Sequence, residues 1–276
     1  MKRNIFLTSL PRSGSTWSSN VIAYTLGAEL VYEPFNWKNH PEREPYHMQY
    51  YGTNSTDQSI NAILESEIRS KRRIFKRIFS SDVVIKDVHA CLAIEGIYNY
   101  LKSKVVIVVR HPCGVANSWN KLGLEAGFRI QKLLRQDALR EYLSPFITHI
   151  QSSDDYFFEI GVYWGATYYL LNRISDQHPD WIWVAHESLC IDSYNKYLEL
   201  FGNLNIFLGK KSKKRLKRFL ARNNRPRFFF EGSYSISRVS ENEPDKWKVN
   251  LTDKEISNVL RGAEPFKMME LLDDLV

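Results

Sequence analysis

The sequence predicts an α/β fold, a three-layer α/β/α sandwich around a central, mostly parallel sheet of about five strands. Two observations predict it. Short, strongly apolar runs such as Val105-Val106-Ile107-Val108-Val109 suit strands covered on both faces, because a strand with one wet face would alternate apolar and polar residues. Between these runs lie longer segments with apolar residues at helical spacing, the alternation that a parallel sheet with crossover helices requires.

Taken in order, the first strand is Asn4 to Ser9. Its start, Met1-Lys2-Arg3 before Ile5-Phe6-Leu7, superficially resembles a signal peptide, but the apolar part ends at Pro11, too short for the core of a leader. Leu10 to Gly14 reads as a loop, and a helix begins near Ser15. Leu30 to Tyr32, Val83 to Lys86, Val105 to Arg110 and Trp181 to Ala185 supply the other strands. Phe157 to Ile174 is the best-marked helix: Ile160, Tyr163, Trp164, Thr167, Tyr168, Leu171 and Ile174 form a stripe that faces a core.

With 276 residues, 43% hydrophobic content and 13% aromatics, the chain can bury a sizeable core. It carries no repeat and no Pro/Gly/Ser-rich linker, so residues 1–276 read as one domain. The longest aliphatic run is far too short to span a bilayer, which predicts a soluble protein. Cys91, Cys113 and Cys190 are odd in number and lack metal-ligand spacing, which argues against a disulfide scaffold or a zinc site and suits a reducing cytoplasm. The net charge is +7, yet ten of the 38 basic residues fall between Lys210 and Arg227, a stretch without an acid. The excess belongs to one surface.

In a parallel sheet the carboxyl ends of the strands line one edge, where ligands bind in open α/β folds. Here those ends carry Pro11-Arg12-Ser13-Gly14, Glu33, Lys86-Asp87 with His89, Arg110-His111 and His186-Glu187. Five segments therefore deliver charged or polar groups to one site.

A strand, a glycine-containing loop and a helix starting near Ser15 present backbone N–H groups to a phosphate, with Ser15 and Thr16 adding hydroxyls and Arg12 adding charge. The loop is not a Walker motif. The position after Gly14 is Ser15 where that motif has lysine, and the first glycine is missing. A kinase or nucleotide hydrolase would also carry an acid after an aliphatic strand to hold magnesium, whereas Val105 to Val109 is followed by Arg110. The pattern suits a ligand whose phosphates are met by side-chain cations without a metal ion.

Pro11-Arg12-Ser13-Gly14-Ser15-Thr16-Trp17 resembles the 5′-phosphosulfate loop of the sulfotransferases that use 3′-phosphoadenosine 5′-phosphosulfate (PAPS). Val108-Val109-Arg110 with Ser118 eight residues later is similar to the second element of that family, which binds the 3′-phosphate. Trp183-Val184-Ala185-His186-Glu187 resembles a third segment, and Lys246-Trp247-Lys248 weakly resembles the part before a final helix. Residues 38–80 and 120–155 match nothing specific.

The resemblance implies a sulfotransferase closer to carbohydrate-type and bacterial members than to cytosolic phenol or steroid members, with PAPS as co-substrate and 3′-phosphoadenosine 5′-phosphate (PAP) as product. By that likeness Arg12, Ser13, Gly14, Ser15 and Thr16 hold the phosphosulfate and Trp17 packs on adenine, with His186 beside it. Arg110 and Ser118 hold the 3′-phosphate, with Arg238, Lys246 and Lys248 in the basic loop that closes over it. Arg12 stays charged at any working pH, so it stabilises developing charge and donates no proton; Lys86 is a second cation for that task.

In-line transfer needs a base on the acceptor side. Glu33 stands first, because Glu33-Pro34-Phe35 resembles a segment of several carbohydrate sulfotransferases; this favours a carbohydrate or glycolipid hydroxyl as acceptor. His89 stands second, since it lies three residues after Lys86 where cytosolic members have two. Pairing with a cation is the structural alternative for Glu33, and Asp87 reads as a helix-entry residue. No metal is expected. Lys210 to Arg227 and Arg69 to Arg77 read as amphipathic basic helices, solvated or steering anions, with peripheral membrane contact open to Lys210 to Arg227. Two rival classes stand beside the sulfotransferase reading: a kinase or nucleotide hydrolase with a phosphate loop, and a basic module that binds a nucleic acid or a membrane surface. Charged groups at five strand ends make nucleic-acid binding the least expected.

Overall fold

The computed structural model describes residues 3–52, 58–74, 82–152, 155–221 and 244–276. Five strands, β1 (Asn4–Ser9), β2 (Glu29–Tyr32), β3 (Val83–Asp87), β4 (Lys104–Val109) and β5 (Ile182–Ala185), form one sheet in the order β2-β3-β1-β4-β5. Every pairing is parallel, with Phe6 opposite Ile85 on one side of β1 and Val105 on the other. The sequence placed all five strands; β1 keeps both ends, while β2 begins one residue earlier, β3 ends one later, β4 lies one residue earlier at both ends and β5 begins one later, leaving Arg110 and Trp181 just outside the ladder.

The first half of the chain supplies the helices α1 (Ser15–Leu26), α2 (Gln58–Ile74), α3 (Ile94–Leu101), α4 (Pro112–Asn120), α5 (Gly127–Leu134), α6 (Asp137–Leu143) and α7 (Ile147–Gln151). The second half supplies α8 (Tyr156–Ser175), α9 (His186–Ile191), α10 (Ser193–Asn203), α11 (Lys210–Ala221), α12 (Lys246–Asn250), α13 (Asp253–Ala263) and α14 (Met268–Leu275).

Two apolar clusters lie on opposite faces of the sheet, as the strand period of two demands. Ile5, Leu7, Val84, Val106 and Val108 pack with Val21 and Ile22 of α1, Tyr197 and Phe201 of α10 and Leu216 of α11. Phe6, Ile85, Val105, Ile107 and Val109 pack with α3, α4, α8 and α13 on the other face. The three layers expected from the sequence are present. All seven residues of the predicted α8 stripe are buried, but so are Val162, Ala166 and Leu170 on its other sides, because α13 and α14 cover that helix from outside.

This topology positions the site. After β1 the chain turns into α1 on one face, and after β4 it turns into α4 on the other, so a crevice opens beyond the carboxyl ends of these neighbouring strands. Among the described residues no helix is long and apolar enough to cross a membrane, and all three cysteines are free and buried.

Candidate active site

The loop between β1 and α1 is held in an unusual backbone conformation. Arg12 and Gly14 both have positive φ, 75° and 85°, and for arginine this costs free energy that the surroundings must offset. Two aromatic side chains from distant helices, Tyr168 and Trp119, fix the loop, and a third, Trp164, holds the neighbouring Arg110. Tyr168 of α8 meets the Ser13 hydroxyl at 3.1 Å, accepts from the Leu10 amide at 3.3 Å and donates to the Val108 carbonyl at 2.9 Å. Trp119 of α4 donates to the Pro11 carbonyl at 2.9 Å, and Trp164 of α8 donates to the Arg110 carbonyl at 2.8 Å. Burial raises the Tyr168 phenol far above its ordinary range, so it stays a neutral donor.

Gly14 is required twice over. Its φ favours glycine, and a Cβ there would lie 2.2 Å from Nδ1 of His186, which sits against the loop at the start of α9. Burial, then the Arg110 charge, hold the His186 imidazole neutral well below the usual histidine range. Trp17 meets the His186 ring edge-on at 6.4 Å and the Tyr197 ring at 5.5 Å, half-buried at the rim of a core. Ser15 opens α1, and the Thr16 hydroxyl lies 3.2 Å from that of Tyr32.

The two sequence motifs meet here. Arg12 Nε donates to Ser118 Oγ at 2.9 Å, across 106 positions, and Arg110 donates to the Arg12 carbonyl at 3.0 Å. Gly114, one turn into α4, leaves room for Arg110: a Cβ there would sit 2.8 Å from Nε. Glu187 accepts the His111 amide at 3.0 Å, and the His111 ring stacks on Trp247 of α12 at 4.5 Å and 4°. That stack brings α12 to the end of β4, with Lys246 exposed beside it. Arg238 lies outside the described residues, as do 222–227 of the basic stretch and 75–77 of the other.

A second cluster lies at the ends of β2 and β3. Glu33, in the left-handed region at φ 46°, forms an ion pair through Oε1 with Lys86 Nζ. Its Oε2 is 3.6 Å from His89 Nε2 and accepts from Asn36 at 3.1 Å. Burial alone would raise the Glu33 carboxyl, but His89 and the Lys86 ammonium outweigh it and hold it at about 2. Nδ1 of His89 is buried without a hydrogen-bond partner. Asp87 is the helix-entry residue that its position predicts, accepting the amides of Phe35, His89 and Ala90 at 2.7, 2.6 and 2.9 Å. Lys86 lies 4.8 Å from the Tyr32 ring, and Tyr32 meets Thr16, so this cluster adjoins the loop between β1 and α1.

The sequence reading missed the supports of the site. Tyr168 and Trp164 read as core, which they are, and their polar tips carried no separate signal. His47, Arg129 and Trp119 fall in or beside stretches without a motif.

Neither a protein-family model nor a curated protein matches the chain by sequence. Solved structures match it by shape. The sulfotransferase domain from the curacin biosynthetic pathway is 16% identical with a TM-score of 0.47, over 94% of this chain and 96% of that one. The mouse sulfotransferase SULT7A1, crystallised with PAP, is 14% identical at 0.49, over 99% and 87%. The sulfotransferase STF9 from Mycobacterium avium is 12% identical at 0.47, over 99% and 76%. Each is a sulfotransferase, as the sequence resemblance leads one to expect. A mouse and a mycobacterial protein stand side by side, so a lean towards bacterial members finds no support. At these identities the likeness concerns the fold alone.

Proposed function

We propose that this chain is a sulfotransferase that moves a sulfuryl group from PAPS to an acceptor hydroxyl, with a carbohydrate or glycolipid favoured by Glu33-Pro34-Phe35-Asn36. The observation that carries the reading is the junction of the two motifs: Arg12 on Ser118 at 2.9 Å and Arg110 on the Arg12 carbonyl at 3.0 Å, at the switch point of the sheet. Two guanidinium groups, a hydroxyl and a glycine loop at the head of a helix are a donor set for a ligand with phosphates at two ends. Neutral His186 and half-buried Trp17 offer it aromatic surface.

PAPS supplies the sulfuryl group and leaves as PAP. Arg12 stabilises charge at the departing phosphate without giving up a proton. Lys86, buried and paired with Glu33, places a second cation beside Tyr32 and the loop. The acceptor hydroxyl must lose a proton. A carboxylate held at about 2 is always ionised but weakly basic, so Glu33 serves best as the group that fixes Lys86 and His89. With Glu33 against Nε2, the lone pair left on His89 is that of Nδ1, and the proton goes there.

The test is transfer of labelled sulfur from PAPS to a panel of glycans, lipids and phenols in the presence of a chelator, together with the thermal midpoint with and without PAP. PAP should raise the midpoint, and transfer should survive chelation of Mg²⁺. No shift with PAP, alongside a shift with oligonucleotides at moderate salt, would end the reading.

A further inference from the structure

Within electrostatic range of His47, the neighbour of His89, the structure holds a buried cation that forms no ion pair among the described residues. Arg129, on α5, is 6% exposed, and its Nε has no hydrogen-bond partner. Its Nη1 donates to the Glu125 backbone carbonyl, while the Glu125 carboxylate attracts it from a distance without forming an ion pair. The guanidinium lies between the Trp119 and Phe128 rings, 4.9 and 4.3 Å from their centres, contacts that offset only part of the cost of burying a charge.

The neighbourhood repeats the pattern. His47 is 3% exposed, and neither of its ring nitrogens has a partner. Its ring lies 5.7 Å from Trp37 and 5.6 Å from His89, whose Nδ1 is also unpartnered. Arg129 reaches this pair through packed side chains: Trp119 under its guanidinium meets Tyr163 at 5.4 Å, the Tyr163 hydroxyl lies 3.1 Å from the Met48 sulfur, and the Met48 amide donates to the His89 carbonyl at 2.7 Å. Buried polar atoms without partners cost free energy unless a ligand completes them, and here three of them, Arg129 Nε and the two ring nitrogens of His47, lie in the neighbourhood of the proposed proton acceptor, His89 Nδ1.

We infer that the acceptor is anionic: a hydroxyl compound bearing a carboxylate or a phosphate or sulfate ester, whose negative group is held by Arg129 while His47 hydrogen-bonds the part between that group and the reacting hydroxyl. The inference rests on the reading of the site as a sulfotransferase and narrows its acceptor to one charge class. Arg129 and His47 act here as specificity residues and take no part in the proton transfer.

The experiment uses matched pairs: methyl glucuronide against methyl glucoside, glycerol 3-phosphate against glycerol, and 4-hydroxybenzoate against 4-hydroxybenzyl alcohol. With labelled PAPS, the anionic member of any pair that turns over should have at least a tenfold higher kcat/KM, and Arg129→Gln should remove that preference while PAP affinity changes less than about twofold. Where no pair turns over, calorimetric titration of methyl glucuronide and glycerol 3-phosphate into PAP-saturated protein reads the same site. Wild type should bind at least one of them at least tenfold more tightly than Arg129→Gln does.

Arg129→Met supplies a readout that a purely structural arginine would not give. Removing an unpaired buried charge should leave the thermal midpoint of the ligand-free protein unchanged or higher, whereas a structural guanidinium would lower it. Equal turnover of charged and neutral partners, binding of neither anion, binding undiminished by Arg129→Gln, or a clear fall in the Arg129→Met midpoint overturns the inference. A protein that ignores PAP fails the donor reading instead, and the anion titration then proceeds without PAP.

Discussion

At the scale of single residues, two proposed site residues, Arg12 and Glu33, stand in the left-handed region, at φ 75° and 46°. Neither has the small side chain that tolerates it, and such outliers persist where the surroundings over-determine them. Glu33 is held on one oxygen by Lys86 and faces His89 and Asn36 with the other. Glu33→Gln keeps the shape and removes the charge, so it should lower kcat about 100-fold or more while PAP affinity stays within about twofold. His89→Asn should cause a similar loss, and the double variant should be little worse than either single one, because the two act as a unit. Steady-state kinetics with labelled PAPS and calorimetry with PAP check this. Full activity of His89→Asn with a dead Glu33→Gln would return the proton to the carboxylate.

At the scale of elements, α8 and α13 cross so closely that they exclude any side chain. A Cβ on Gly161 would lie 2.1 Å from the Val259 carbonyl, and one on Gly262 would lie 2.3 Å from the Phe158 carbonyl. In both cases the obstacle is backbone, which moves only if the helices separate. Gly161→Ala or Gly262→Ala should therefore destabilise the protein by about 1–3 kcal/mol and lower the thermal midpoint by several degrees; Gly123→Ala, with open space but φ 59°, should cost less. A midpoint unchanged in Gly161→Ala would refute the close crossing. The same helix shows what the sequence can and cannot reveal. Its stripe was legible because apolar spacing reports which side faces a core, and the five strands were legible because Val-Val-Ile-Val-Val has few other uses. The second covered side was not, since glycine and alanine give no hydropathy signal for a close crossing. The meeting of the two motifs was legible where spacing forms a pattern, at Arg12 to Trp17 and at Arg110 with Ser118, which the fold brings together. Arg129 and Tyr168 escaped notice because a lone arginine among leucines, or a tyrosine in an apolar stripe, acquires its meaning only from what the fold places next to it.

At the scale of the whole molecule, the positive field that would draw an anionic donor and acceptor also acts on the histidines. Burial first, and then neighbouring cations, lower three of them: His47 to about 3, with His89, Lys132 and Arg129 nearby; His111 to about 4, with Lys248 and Arg110; and His186 well below its usual range, with Arg110. A histidine kept neutral in the folded state binds fewer protons there than in the unfolded chain at every pH between its two pKa values. Stability therefore rises with pH across that window, so each contribution is complete above about pH 6.5 and shrinks as the pH falls. From pH 7.5 to pH 5 the loss is roughly 2 kcal/mol each for His47 and His111, a large part of the net stability of a typical domain, and His186 acts in the same direction. Glu33 acts in a lower window: its carboxyl is held down from 4.5 to about 2, so its contribution is present above about pH 4.5 and lost towards pH 2. Urea unfolding should accordingly show stability falling steeply between pH 7 and pH 5, before ordinary carboxylates titrate, and His47→Asn should remove a clear part of that slope. PAP, by bringing negative charge to Arg110 beside His186 and His111, should raise those two groups, take up protons as it binds and flatten the remaining slope. A stability that stays level down to pH 5, or a slope that His47→Asn leaves intact, would mean that these imidazoles reach water or a carboxylate in the folded protein and are not held neutral by burial and the cations around the site.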